Sequence, residues 1–262
     1  MPIADLGDLK VHYQDSNPKG SHVVVFAHSL GTDLRMFDQV VMRLPQSLRV
    51  IAYDLRGHGQ TEVTPAPYSM GTLVRDAERL IDHLKLRGVV FVGVSIGGMI
   101  AQGLAVKRLD LVRGIVLSNT GAMIGTPDLW QQRIDAVVTT GLESIADSIM
   151  ERWFPADFIA DGDHKVWRDR MVAMSPEGYV GCCAAIAGTD FLTPTSGLRL
   201  PVLAIAGTED RSTPPDLVRE TAALIPGSKF TLIRGAGHLP PIDRPNDVTG
   251  ALMGFLSGIG HL

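Results

Sequence analysis

The chain has 262 residues, 45% hydrophobic and 20% charged, with 24 Lys plus Arg against 28 Asp plus Glu for a formal net charge of −4. That length suits one large α/β domain, or one domain with an insertion, and the apolar fraction argues against a disordered chain. The mild acidity and the lack of any basic run remove the electrostatic basis for nucleic-acid binding, and two adjacent cysteines, Cys182 and Cys183, are too few for a disulfide framework or a zinc site.

In chain order, residues 1–10 already carry Asp5 and Asp8 and have no basic and apolar leader pattern, so no secretory signal is expected. With the two thiols read as buried packing residues of a reducing compartment, this gives a cytoplasmic expectation. Short apolar runs follow at Val11–Tyr13, Val23–Ala27, Val50–Tyr53, Val89–Val94 and Gly114–Leu117. From Val23 onward they are continuous rather than alternating, as in strands covered on both faces. Between them Leu73, Ala77, Leu80, Ile81 and Leu84 share one helical face, with Ser69 or Thr72 placed to cap its start. A second helix is expected from about Ile96 to Lys107. The uncharged stretch from Val89 to Val106 has the length of a membrane span, but Gly93, Gly97, Gly98 and Gly103 interrupt it. A strand, a tight turn and a buried helix account for it, and no membrane segment is expected.

The rhythm breaks after Asn119. Residues 121–196 read as helical and irregular, and they hold all three tryptophans, Trp130, Trp153 and Trp167. Strands then return at Val202–Ala206 and Phe230–Ile233, with helices from about Pro215 to Leu224 and Pro245 to Leu256. The expectation is a mostly parallel sheet with helices on both faces, residues 1–120 and 197–262, interrupted after the sixth strand by a helical cap, residues 121–196. Aromatic and Met-rich helices laid over the strand ends would line an apolar pocket.

Gly93-Val94-Ser95-Ile96-Gly97 follows a buried strand and opens a helix. A serine on so sharp a turn projects its hydroxyl from the sheet, while small neighbours let adjacent backbone approach. A serine hydroxyl needs a neutral imidazole to take its proton and an acid to hold that imidazole's tautomer. Two late strands end at Gly207-Thr208-Glu209-Asp210 and Gly235-Ala236-Gly237-His238, so Asp210 and His238 follow Ser95 in the expected order. Glu209 is the competitor of Asp210, but successive side chains point apart. The strand ending at Ser118-Asn119 offers no carboxylate. His28 reads as a brace of its loop and His58 as a turn histidine, while His12, His22, His83, His164 and His261 read as bland strand, helix-surface or terminal positions. The eight histidines show no metal-ligand spacing, so no metal is expected.

His28-x-Leu30-Gly31, Asp54-x-Arg56-Gly57-His58-Gly59, Gly93-x-Ser95-x-Gly97-Gly98, Gly207-Thr208-x-Asp210 and Gly235-x-Gly237-His238 together resemble the α/β-hydrolase superfamily over nearly the whole chain. Within it the sequence is most similar to 3-oxoadipate enol-lactonases. That similarity is carried by Ser29-Leu30-Gly31-Thr32-Asp33, Ser118-Asn119-Thr120, Ile124-Gly125, Trp130 with Arg133, Arg152-Trp153-Phe154, Glu177-Gly178-Tyr179 and Cys183-Ala184-Ala185-Ile186. The resemblance implies the α/β-hydrolase fold and a catalytic triad of Ser95, Asp210 and His238. It implies an oxyanion hole from the backbone N–H groups of Leu30 and Ile96, and substrate contacts from Trp130, Arg133, Trp153 and Thr120. It implies hydrolysis of 3-oxoadipate enol-lactone to 3-oxoadipate, a step of aromatic catabolism, with a small molecule as the partner and no cofactor. Two departures stand out: His28 where such proteins often begin the loop with Asn, and Met123 where they often carry a basic residue, for which Arg133 would substitute. A broader carboxylesterase or lactonase, a cofactor-free perhydrolase and a hydrolase-fold ligand receptor share the same motifs. Dehalogenases and epoxide hydrolases need a carboxylate nucleophile, which Ser95 disfavours.

Overall fold

A computed structural model describes residues 2–262; Met1, the start of the segment read above as leaderless, lies outside the described residues. Strands β1 (Ile3–Asp5) and β2 (Lys10–Ser16) run antiparallel to their neighbours. Strands β3 (His22–Ala27), β4 (Leu48–Tyr53), β5 (Val89–Val94), β6 (Val112–Ser118), β7 (Val202–Gly207) and β8 (Lys229–Ile233) are mutually parallel. The eight described strands form one sheet in the order β1-β2-β4-β3-β5-β6-β7-β8. The central strands β5 and β7 are buried at every position, as continuous apolar runs demand, whereas the edge strand β8 is buried only at Ile233.

Helices α1 (Asp38–Val41), α2 (Met70–His83) and α3 (Ile96–Lys107) cover the first half of the sheet. The hydroxyl of Ser69, not that of Thr72, caps α2, accepting the Thr72 N–H at 3.1 Å. Nine residues of α3 are buried, from Ile96 round to Ala105, which explains an uncharged sequence without a bilayer. Among the described residues no helix is long and apolar enough to cross a membrane.

Between β6 and β7 the chain leaves the sheet. It forms α4 (Pro127–Thr140), α5 (Glu143–Trp153), α6 (Ala156–Ala160), α7 (Lys165–Val172), α8 (Pro176–Ala187) and α9 (Leu192–Ser196). The start of α4 is set by the Thr126 hydroxyl, which accepts the Leu129 N–H, with Pro127 in the first turn. Helix α4 packs on α8, where Cys182 and Cys183 are buried and unbonded to each other. Burial raises both thiols, Cys183 to about 12, so they pack rather than react. The sheet then resumes with α10 (Pro215–Ala223), α11 (Pro240–Asp243) and α12 (Pro245–Gly258). Strand β1, a 3-10 turn at Leu34–Phe37, α1 and α11 were not expected from the sequence. Each spans only three or four residues, too few to display a period.

Candidate active site

Ser95 joins β5 to α3 with φ 57° and ψ −118°, a left-handed backbone rarely adopted by a residue with a side chain. Neighbouring glycines allow it. A Cβ on Gly93 would lie 2.0 Å from the Gly97 carbonyl oxygen, and one on Gly97 would lie 2.2 Å from that of Ala27. The turn is tied to β6, since the Ser95 N–H donates to the Ser118 carbonyl at 3.0 Å. The Ser95 carbonyl in turn accepts the Thr120 hydroxyl at 2.6 Å.

Asp210 and His238 arrive from the ends of β7 and β8. The imidazole Nδ1 lies 2.9 Å from Asp210 Oδ2, so Nδ1 carries the proton and Nε2 is left to act as a base. Asp210 accepts four further hydrogen bonds, from the Asn119 amide at 2.9 Å, the Thr213 hydroxyl at 2.7 Å, and the N–H groups of Ser212 and Thr213 at 2.7 and 3.0 Å. Burial pushes its carboxyl up, but the facing imidazole and these donors outweigh that and hold it below the ordinary carboxylate range. Glu209, its competitor, is exposed.

The loop after β3 is held by two neutral imidazoles. His28 Nδ1 donates to the Ser29 carbonyl at 2.8 Å and its Nε2 accepts the Leu55 N–H at 2.9 Å. His58 Nε2 accepts the Gly31 N–H at 3.1 Å. Burial lowers His28 against the pull of Asp54, and burial with the like charge of His28 lowers His58 to about 3. Both rings therefore stay neutral acceptors, as a brace and a turn residue require. Gly31 being engaged, the N–H groups of Leu30 and of Ile96, the first residue of α3, have no protein acceptor among the described residues.

Ser95 and His238 open into a cavity of about 280 Å³ whose other walls include Leu30, Trp130, Arg133, Arg152, Trp153 and Tyr179. Trp130 is fixed by its indole N–H, which donates to the Ile124 carbonyl at 2.6 Å, and the Arg133 guanidinium lies 4.9 Å from the centre of its ring. Arg133 and Arg152 form no salt bridge among the described residues. Burial and the like charge of Arg133 draw Arg152 below the ordinary arginine value. The Tyr179 hydroxyl on the same wall is buried without a partner. Among the described residues no group of three His, Cys, Asp or Glu side chains is placed to hold a metal ion.

The structure thus gathers Ser95, Asp210, His238, Leu30, Ile96, Trp130, Arg133 and Trp153 around one end of the sheet. Thr120 is a correction. It was expected to touch substrate, but it is fully buried beneath the Ser95 turn and does not line the cavity. Met123, at the position where a cation was expected to be replaced, is 43% exposed and also outside this cavity. His12 and His261 are not bland either. His12 Nδ1 lies 2.6 Å from Asp54 Oδ2 inside the fold, and His261 Nε2 lies 3.0 Å from the Val23 carbonyl. Asn119 was missed because Asp210 lies 91 residues away and only folding aligns them, whereas Thr213 lies three residues beyond Asp210 and the turn between them was the available signal. Arg152 stood inside a stretch similar to the enol-lactonases, which was the available signal.

Comparison with known proteins gives the same picture. Residues 22–245 match the family described as alpha/beta hydrolase fold. The chain is 34% identical to 3-oxoadipate enol-lactonase 2 of Acinetobacter baylyi, over 78% of this chain and 77% of that protein. It is 31% identical to 3-oxoadipate enol-lactonase 1 of the same organism, over 94% and 92%. The crystal structure of the enol-lactonase from Burkholderia xenovorans superposes with a TM-score of 0.93 at 33% identity, covering 98% of this chain and all of that one. With its sheet, its Ser95 turn and this match in hand, the chain belongs to the α/β-hydrolase fold family, and it is a hydrolase.

Proposed function

We propose that this hydrolase opens a small carboxylate-bearing enol lactone, 3-oxoadipate enol-lactone, through an acyl-serine. Ser95 Oγ attacks the lactone carbonyl as His238 Nε2 takes its proton, and Asp210 stabilises the imidazolium. The N–H groups of Leu30 and Ile96 hold the oxyanion; one such donor is typically worth about 3 kcal/mol in the transition state. Collapse breaks the ring C–O bond and releases an enolate that takes the proton held by His238 and tautomerises to a ketone, leaving the imidazole neutral again. Little acid assistance is needed, and the ketone does not re-close. Water, deprotonated by His238, then attacks the acyl-serine and releases the second carboxylate. Residues 121–196 serve as the cap that supplies the substrate wall.

The observation that carries the substrate class is the pair Arg133 and Arg152. Two guanidinium groups line the same cavity as Ser95 and His238 and form no salt bridge among the described residues. A planar donor fork with no carboxylate partner suits a substrate carboxylate, which anchors the lactone while its carbonyl meets Ser95. The deciding measurement is kcat/KM for 3-oxoadipate enol-lactone against a neutral aryl ester such as p-nitrophenyl acetate. A preference for the lactone of about tenfold or more is expected, since a charge-assisted contact is worth about 1.5–3 kcal/mol. A preference for the aryl ester would move the reading to a broader carboxylesterase. Peracid formation with peroxide in place of lactone hydrolysis would make it a perhydrolase, and binding without turnover a receptor.

A further inference from the structure

Asp243, at the end of α11, points back at the loop that carries His238. Its Oδ2 accepts the Gly237 N–H at 2.7 Å, while its Oδ1 is buried with no partner. The other end of the same residue is also held, because the Asn119 amide that reaches Asp210 donates to the Gly237 carbonyl at 3.0 Å. The next N–H, that of His238, donates to the Trp153 carbonyl at 2.7 Å. There is no slack in this stack, since a Cβ on Gly237 would lie 2.1 Å from the Trp153 oxygen. The residue before the candidate base is therefore gripped from three sides, and one grip is a carboxylate that belongs to neither the triad nor the cavity wall.

We propose that Asp243 is a positioning residue for the His238 base, fixing the Gly237 backbone and through it the height of the imidazole over Ser95. The inference rests on the reading of His238 as the base. A carboxylate shapes a loop more firmly than a neutral acceptor, because a hydrogen bond to a charged group is shorter and about twice as strong. Burial pushes this carboxyl up to about 7, against the pull of the Gly237 N–H and of Arg244 and with the push of Asp157 and Asp210. Its charge state thus changes around neutral pH. The other charged groups on elements packed against α11 are Arg35, which is paired with Asp33, Asp38 on α1, and Asp247 on α12. As pH rises through about 7 the carboxylate forms and the grip tightens; as pH falls it weakens.

The test is a pair of substitutions assayed on p-nitrophenyl acetate across pH. Asp243→Ala removes the acceptor and should lower kcat by about tenfold or more with KM changed less than about threefold, the signature of a displaced base. Asp243→Asn offers an amide oxygen to the Gly237 N–H but stays neutral. It should recover most of the loss and lack only that part of the native pH dependence that the Asp243 carboxylate supplies. The ratio of native to Asp243→Asn activity should then rise from its value near pH 5.5 by roughly threefold or more near pH 8, because the buried amide NH2 acts equally at every pH and only the native carboxylate strengthens its bond. A ratio flat with pH, or a kcat of Asp243→Ala within about twofold of native, would overturn the proposal. If Asp243→Ala does not fold, the Asp243→Asn ratio decides alone. His238→Ala separates the two readings: activity surviving that change sinks the base assignment itself, whereas its loss beside unaffected Asp243 variants sinks only this inference.

Discussion

Two regions face each other across the cavity and are built on opposite terms. The loops after β5, β7 and β8 carry Ser95, Asp210 and His238, and they are held in place by bonds from within the protein: Asp210 alone accepts five. The facing wall from α4 and α5 carries Arg133, Arg152 and Trp130, and two of these three side chains are cations that form no salt bridge among the described residues. The first region is preorganised and leaves free only the groups that would meet the reacting atoms, His238 Nε2, the Ser95 hydroxyl and the N–H groups of Leu30 and Ile96; the second has charge left over. Reaction chemistry is fixed by backbone and buried hydrogen bonds, while substrate choice is left to side chains that only a ligand completes.

The harshest way to break this division is to remove the nucleophile. Ser95→Ala should lower kcat/KM by about 10⁴- to 10⁶-fold on lactone and aryl ester alike, and abolish labelling by a fluorophosphonate. A labelled peptide elsewhere in the chain would show that the reacting group lies outside the β5 turn. Alanine at Arg133 or Arg152 should act on one side of the comparison only. The ratio of kcat/KM for the lactone to that for p-nitrophenyl acetate should fall by about ten- to a hundredfold, mostly through KM, and an equal fall for both substrates would remove the carboxylate anchor from the argument.

The two regions also differ in how they read from the sequence. Ser95, Asp210 and His238 each follow an apolar run, fully buried in β5 and β7 and buried at Ile233 in β8, and lie close to glycines, so strand and turn chemistry mark them locally. The partners that set their behaviour carry no local mark. Asn119 reaches Asp210 across 91 residues and the Gly237 carbonyl across 118. Asp243 looks like any acidic residue beside Arg244 until α11 folds it back. Arg133 sits on α4 with the pattern of a surface helix, and only the packing of α4 on α8 turns it to the cavity. His12 was unremarkable in β2 because Asp54, 42 residues later, is what buries it with a partner. Elements of three or four residues, such as β1 and α11, exist by tertiary contact and have no period to read.

The loop after β3 gives a third handle, now on stability. His28 and His58 are held neutral below their ordinary value of 6.5, by burial first in each case. An unfolded chain takes up protons below about pH 6.5 that these rings refuse, so their contribution is intact above that pH and is lost as pH falls below it, for His58 down to about 3. Each ring adds up to about 1.4 kcal/mol of lost stability per pH unit in that window. Urea midpoints measured between pH 7 and 4 should fall accordingly, and more shallowly in His58→Gln. An unchanged slope in that variant would mean that His58 is charged inside the fold.

The smallest effect tests the boundary between the regions. Thr120 lies in a stretch similar to the enol-lactonases, yet its hydroxyl donates to the Ser95 carbonyl from inside the fold. Thr120→Val keeps the shape and removes that donor. The carbonyl still accepts the N–H of Gly98, so no acceptor is orphaned and the cost should be only about 1 kcal/mol, or a melting temperature lower by about 2–4 °C. KM for the lactone should stay within about twofold, because nothing on the cavity wall has changed. A strut and a substrate contact thereby give opposite signatures from one methyl-for-hydroxyl exchange: a lower melting point with KM held places Thr120 with the reaction scaffold, and a raised KM at constant melting point would move it to the substrate wall.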